Sequence, residues 1–279
     1  MKGTCFTIIF CLCFLLSYSQ HAKNTLAMTV SGKDRISVVK SNVRLAEWHE
    51  KAFWPLYEKY LADATKIYSQ TYRSVSDLAR TDKSVEEQDA FETGWNLLTA
   101  RNEELDLRKK YYQEVYDILN GVVALQFLQT ESMMDMLETA SIYRKSPVGK
   151  YRFLAHTLPK EKVTEAKHNT LASALSLPAD KKELFWSVYS KYEEESNALL
   201  GDAYNIYSLF ASDAADFTPG LARRLGNDLL QVMEREVRLK ERYFLEMNAM
   251  VGSTIAARFL AWEDYYSVVS KMYAWADTR

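Results

Sequence analysis

The sequence predicts an all-α protein built as a tandem duplication of a helical-hairpin module, with two long antiparallel helices and a shorter third in each copy. Three observations carry this. The chain is poor in breakers, with nine glycines and five prolines among 279 residues. Apolar positions recur at steps of three and four over long stretches, the period of an amphipathic helix. Finally, a shift of 132 residues lays one half on the other without a gap. "FWPLYEKY" from Phe53 meets "FWSVYSKY" from Phe185, Gly94 meets Gly226, Leu97-Leu98 meets Leu229-Leu230, Tyr111 meets Tyr243, and Phe127-Leu128 meets Phe259-Leu260. A register kept over that length marks an internal repeat.

Taken in order, "MKGTCFTIIFCLCFLLSYSQ" has a basic head at Lys2, an apolar run from Cys5 to Leu16 and small residues after it. It reads as a secretory signal peptide over 1–20, too short for the ~20 apolar residues of a membrane span. All three cysteines fall inside it, so the mature chain is expected to have no disulfide, thiol nucleophile or cysteine metal site. No small residue directly precedes Cys11 or Cys13, which argues against lipidation. Residues 21–34 form a polar N-terminal segment.

The first module is expected over 35–145. Its first long helix carries Phe53, Tyr57, Tyr60, Ala64, Ile67, Thr71, Val75 and Leu78 on one stripe, with Glu58, Lys59, Asp63, Lys66 and Arg73 opposite. Pro55 lies within it, and the second copy has Ser187 there, so any kink belongs to the first copy alone. After "RTDKS", Ser84 and Glu87 have the spacing of a capping box. The second helix ends at Asn120-Gly121, and the third runs over about 122–143. Pro147 and Gly149 mark a linker, 146–158. A connecting helix near 159–175 leads into the second module, with the two together spanning 159–279. There Thr218-Pro219 is suited to start a helix, and Gly252-Ser253 takes the place of Asn120-Gly121.

A net charge of −2 without long single-sign runs removes the basic footprint that nucleic acid requires. The chain has no Gly-x-Ser-x-Gly elbow and no glycine-rich phosphate loop, so no enzyme is expected and no cofactor. Among the aromatic residues, Phe53, Tyr57, Tyr60, Phe185, Tyr189 and Tyr192 share the apolar stripe and are assigned to the core. Trp54 and Trp186 stand one step off it and are the client-binding candidates, because contiguous exposed apolar area marks an interface. The repeated acids Glu104/Glu236 and Glu114/Glu246 have basic residues four positions away and are read as surface pairs. Glu131 and Glu263 lack such partners and are read as solvated. A single Glu-x-x-His, Glu165 to His168, falls short of the two that a helical di-iron site needs, and no metal site is assigned.

Each copy has a leucine-led helix start ("LAEWH" at Leu45, "LPADK" at Leu177), the aromatic heptad, and a break leading to "ALQFLQTE" or "AARFLAWE". In this the mature chain resembles the Spy/CpxP-like proteins, a family of helical envelope proteins with paired L-T-x-x-Q motifs. Only the leading leucine is kept in three of the four motif positions, Leu45, Leu119 and Leu177, with Val251 in the fourth. The resemblance implies a periplasmic or secreted protein of a Gram-negative bacterium. It also implies an ATP-independent chaperone or envelope-stress adaptor whose partners are unfolded or amphipathic polypeptide segments or an envelope protein. The alternatives are a metal-responsive sensor using Glu165, His168 and His49, or a purely structural protein.

Overall fold

The computed structural model describes residues 32–78, 80, 85–145, 160–210 and 217–277. The segments read as a signal peptide, 1–20, and as a linker, 146–158, lie outside them. The described residues form eight helices and no strand: α1 (Gly32–Asn42), α2 (Glu47–Leu78), α3 (Glu87–Ile118), α4 (Gly121–Arg144), α5 (Lys160–Leu175), α6 (Ala179–Phe210), α7 (Pro219–Val251) and α8 (Ser253–Asp277). The fold is all-α. No described helix is long and apolar enough to cross a membrane.

Each long helix follows from its stripe. Along α2, the predicted apolar positions are buried except Ile67, which is half-buried, and all five predicted solvent-face residues are exposed. The helix runs through Pro55, an exposed position where the ring removes one intrahelical donor. α4 is buried on nearly every side, as expected of a helix apolar all round and enclosed by others. Its start is set by Asn120, whose side chain accepts from the amides of Val122 and Val123 at 2.9 and 3.0 Å. Thr218 caps α7 through a bond from the Leu221 amide at 3.2 Å, with proline in the first turn. Gly252, at φ 95°, makes the break before α8.

Two sequence readings change. α1 begins inside the segment read as polar, and it is the register counterpart of α5: the 132-residue shift carries Arg35 onto Lys167. The capping box is also replaced. Ser84 lies outside the described residues, Glu86 occupies the cap of α3 without a side-chain bond, and the Glu87 carboxylate accepts from the amides of Ser253 and Thr254 at the start of α8. It caps a helix of the other half.

The halves do not keep separate cores. One cluster joins Phe53 and Tyr60 of α2, Tyr111 of α3 and Phe127 of α4 to Tyr207 of α6 and Leu229 and Leu230 of α7. The other joins the counterparts Phe185, Tyr192, Tyr243 and Phe259 to Val75 of α2 and Leu97 and Leu98 of α3. Close approaches are reciprocal as well. A Cβ on Gly94 would come within 2.5 to 2.6 Å of the Phe244 ring, and one on Gly226 within 2.5 to 2.6 Å of ring carbons of Tyr112, the counterpart of Phe244. Gly121 packs on the Pro219 carbonyl, while their counterparts Ser253 and Glu87 meet through the cap. Such i-to-j and j-to-i pairing is the mark of a two-fold interface, here contained within one chain.

Candidate functional site

The polar chemistry is gathered at three places. In the first, Glu131 on α4 is fully buried, which corrects the reading of a solvated acid. A buried carboxylate is tolerated only when paired and hydrogen-bonded, and the local pattern supplies both. Tyr57 and Tyr60, one turn apart on α2, donate to its two oxygens at 2.8 Å each. Arg35 of α1 lies 2.7 Å away. The Arg35 fork reaches Glu138 at 2.8 Å and Tyr72 at 3.3 Å. Burial would lower the Arg35 guanidinium, but Glu131, Tyr68 and Glu138 outweigh it and hold it raised. Burial, then the Glu131 charge, pushes the Tyr57 and Tyr60 hydroxyls up.

The counterpart on α8 is Glu263, also buried and likewise a correction. Tyr189 donates to it at 2.8 Å, and Lys167 of α5 stands 3.5 Å away. Lys167 also approaches Glu193 at 3.4 Å, and His168 Nε2 lies 2.7 Å from the other Glu193 oxygen. Burial opposes the Lys167 charge, but Glu263, Tyr266 and Glu193 hold its ammonium raised.

The third place is the waist between the halves, where α3, α4, α7 and α8 meet. Arg101 of α3 reaches Glu104 at 3.1 Å, Asp135 at 3.4 Å and, across the halves, Asp264 at 3.2 Å. Arg108 pairs with Glu104 and Asp135. Lys240 of α7 lies 2.9 Å from both Glu236 and Asp264, and Lys271 of α8 pairs with Glu236. The predicted i,i+4 pairs Glu104–Arg108 and Glu236–Lys240 therefore form, but as members of a buried network. Burial opposes the Asp264 and Glu236 charges, yet the flanking cations hold both carboxyls below their usual range. Glu104 goes the other way, raised first by burial. Beside the network lies a cavity of about 80 Å³. The second predicted pairing differs: Lys110 and Tyr111 turn to Asp63 of α2, and Arg242 and Tyr243 turn to the counterpart Glu195 of α6.

Phe53, Tyr57, Tyr60, Phe185, Tyr189 and Tyr192 are all buried. Trp54 and Trp186 are half-buried against different cores. Lys40 of α1 lies over the Trp54 ring and His168 of α5 packs beside Trp186, so each short helix partly covers its tryptophan. Of the residues considered as metal ligands, Glu165 is exposed, His168 is engaged with Glu193, and His49 lies against Asn120 at 3.3 Å. Among the described residues no group of three or more His, Cys, Asp or Glu is placed to hold a metal.

The exposed apolar side chains fall in places that the stripe analysis passed over. Trp48 is 65% exposed and Ile118 52%. The His49–Asn120 contact brings them to the same end of the bundle. In the second half, Leu184 and Met250 are exposed, and a bond from Lys181 Nζ to the Val251 carbonyl at 2.7 Å brings their segments together. Met250 is the register counterpart of Ile118, so the repeat sets an apolar residue at this position in both halves. No protein-family model, curated protein or solved structure matches the chain.

Proposed function

We propose that this chain is an exported, non-enzymatic polypeptide-binding protein, acting as an ATP-independent chaperone or envelope-stress adaptor of the Spy/CpxP-like kind. One observation carries the reading: corresponding corners of the two halves expose large apolar side chains, Trp48 with Ile118 and Leu184 with Met250, on a frame pinned by buried ion pairs. Exposed apolar side chains grouped at one place mark a surface for contact with apolar segments. Trp54, six residues after Trp48 on α2, and Trp186, two residues after Leu184 on α6, flank these corners half covered by the short helices.

The corners lie at opposite ends of the molecule. The first is next to the start of α7, where Gly121 meets Pro219, and the second is next to the start of α3, where Glu87 caps α8. The 32-residue helix α3 separates them by about 48 Å at ~1.5 Å per residue. An extended client of roughly 14 residues or more spans both at ~3.4 Å per residue, and engaging both ends strengthens binding through effective concentration.

The test is suppression of aggregation of a reduced or heat-labile client by the mature protein. Suppression at stoichiometric ratios is expected, weakened in Ile118→Ser/Met250→Ser and more so with Trp48→Ser added. No suppression, or equal suppression by these variants and the parent, removes the reading. A Trp54→Ala/Trp186→Ala pair measures what the half-covered rings add.

A further inference from the structure

The waist cavity is built differently from the carboxylate centres at Glu131 and Glu263. Its walls carry four acidic and four basic side chains, contributed by α3, α4, α7 and α8. Their hydrogen-bonding capacity does not balance. Every carboxylate oxygen is engaged. Glu104 accepts from Arg108 and Arg101, and both Asp135 oxygens face Arg101. Asp264 receives Lys240 on one oxygen and Arg101 with Tyr143 on the other, while Glu236 receives Ser267 and Lys240 on one and Lys271 on the other. The donors are in surplus. Among the described residues Lys271 meets Glu236 alone, leaving two of its three protons, and Lys240 meets two acids, leaving one. Arg108 Nε is buried without a partner.

We infer that the waist cavity is a binding site for a small oxyanion, a carboxylate or a phosphate, held by Lys271 at the mouth and by the free donor of Lys240 deeper in. The size agrees: about 80 Å³ is room for roughly five water molecules at ~15 Å³ each, enough for an ion of a few heavy atoms and too little for a drug-sized ligand. Lys271 is 17% exposed at its side chain and Lys240 9%, so an ion meets Lys271 first. Since the lining carries no net charge, selectivity rests on the spare donors.

The experiment uses the mature full-length protein in chloride at fixed ionic strength, titrated calorimetrically with sodium phosphate in one arm and sodium acetate in the other. Saturable binding is expected in at least one arm, and the arm that saturates identifies the source. Lys271→Met should weaken it about tenfold, the effect of losing one charge-assisted hydrogen bond. Lys271→Arg should retain most of it, and Arg235→Met, which alters an exposed ion pair elsewhere on α7, should change nothing. Circular dichroism of Lys271→Met confirms that it is folded. If that variant does not fold, the same comparison is made with Met233→Glu, which sets an anion on the cavity wall and should abolish binding. The absence of saturable binding in both arms overturns the inference, as does parent-like binding by Lys271→Met, or by Met233→Glu where that variant takes its place.

Discussion

Glu131 and Glu263 occupy equivalent places in the two halves and are neutralised in different ways. The first is closed. It receives one arm of Arg35, Tyr57 and Tyr60 at 2.8 Å and Tyr68 at 3.4 Å, and the other arm of Arg35 is used by Glu138. The second has an ammonium at 3.5 Å and Tyr189 at 2.8 Å. Glu138 has Ser270 as its counterpart, so the second acid near Lys167 comes from α6, where Glu193 replaces Leu61. Through Glu193 this centre leads to the partly exposed His168. A planar five-donor fork can tie two acids in fixed geometry, whereas a lysine acts as a point charge. The same backbone frame thus accepts a tight centre in one half and a looser one in the other.

The sharpest way to break this comparison is to remove each acid in turn. Glu131→Gln leaves a buried guanidinium facing only Glu138 and should cost about 3 to 5 kcal/mol. Glu263→Gln should cost less, about 2 kcal/mol, since Lys167 keeps Glu193 as a partner. Urea denaturation at neutral pH reads both. Equal losses would mean that the two centres bear the same load despite their different donors.

Acid separates the centres from the waist. Asp264 and Glu236 are held below the ordinary values of 3.8 and 4.5 by Lys240 with Arg101 and Lys271, against the effect of burial. Their folded values are depressed, so their stabilisation is complete above the unfolded values and is lost as pH falls below about 4.5 through the folded ones. Glu104 and Glu138 are raised, with burial the first cause, and act in the opposite sense. The depressed pair dominates below pH 4, where the unfolded chain takes up protons that the folded Asp264 and Glu236, held by Lys240, Lys271 and Arg101, do not accept, so the balance shifts toward unfolding. A loss of about 2 to 3 kcal/mol between pH 5 and pH 2 is expected for one such carboxylate. Asp264→Asn should flatten that slope in urea melts across the range, and an unchanged slope would exclude the waist as the acid-sensitive point.

A smaller effect tests the two-fold pairing itself. Gly94→Ala presses on the buried Phe244 ring and Gly226→Ala on Tyr112, whose hydroxyl donates to the Arg223 carbonyl at 3.1 Å. Each is expected to cost about 1 to 3 kcal/mol through overpacking. Phe244→Leu should relieve the first and leave the second unchanged. A Gly94→Ala variant as stable as the parent would show that the halves have room to shift.

Much of the architecture could be read from periodicity and register. The α2 stripe, the break at Asn120-Gly121, the cap at Thr218 and the break at Gly252 each depend on local chemistry, which a sequence displays directly. Glu104 and Glu131 depart from their sequence reading for separate reasons: the i,i+4 spacing of Glu104 to Arg108 is the same on a solvated face and beside a buried network, while the partners of Glu131 lie on other helices, where no spacing along the chain shows them. Burial is decided by which helix lies across from the residue. Arg35 escaped notice because α1 is short and polar, and only extending the 132-residue register back to Lys167 reveals it. Trp48 was passed over because it has no aromatic counterpart: Asp180 stands at the equivalent position.

The cap at Glu87 is the finest test of how the halves differ. At one junction Gly121 lets α4 approach the Pro219 carbonyl, a contact that needs no side chain. At the equivalent junction Ser253 stands where Gly121 would, and Glu87 fills the space that Pro219 leaves by accepting from two amides at the start of α8. Burial opposes the Glu87 charge, and the bonds from Thr254 and Ser253 overcome it, holding the carboxyl low. Because an acid at a helix N-terminus meets unpaired amides and the positive end of the dipole, Glu87→Ala should cost about 0.5 to 1 kcal/mol. Hydrogen exchange gives the clearer signature. The Ser253 and Thr254 amides should lose protection while those of Val122 and Val123, capped by Asn120, keep theirs. Equal loss at both junctions would show that the ends of α4 and α8 open together, and the contrast drawn from Glu87 would then fail.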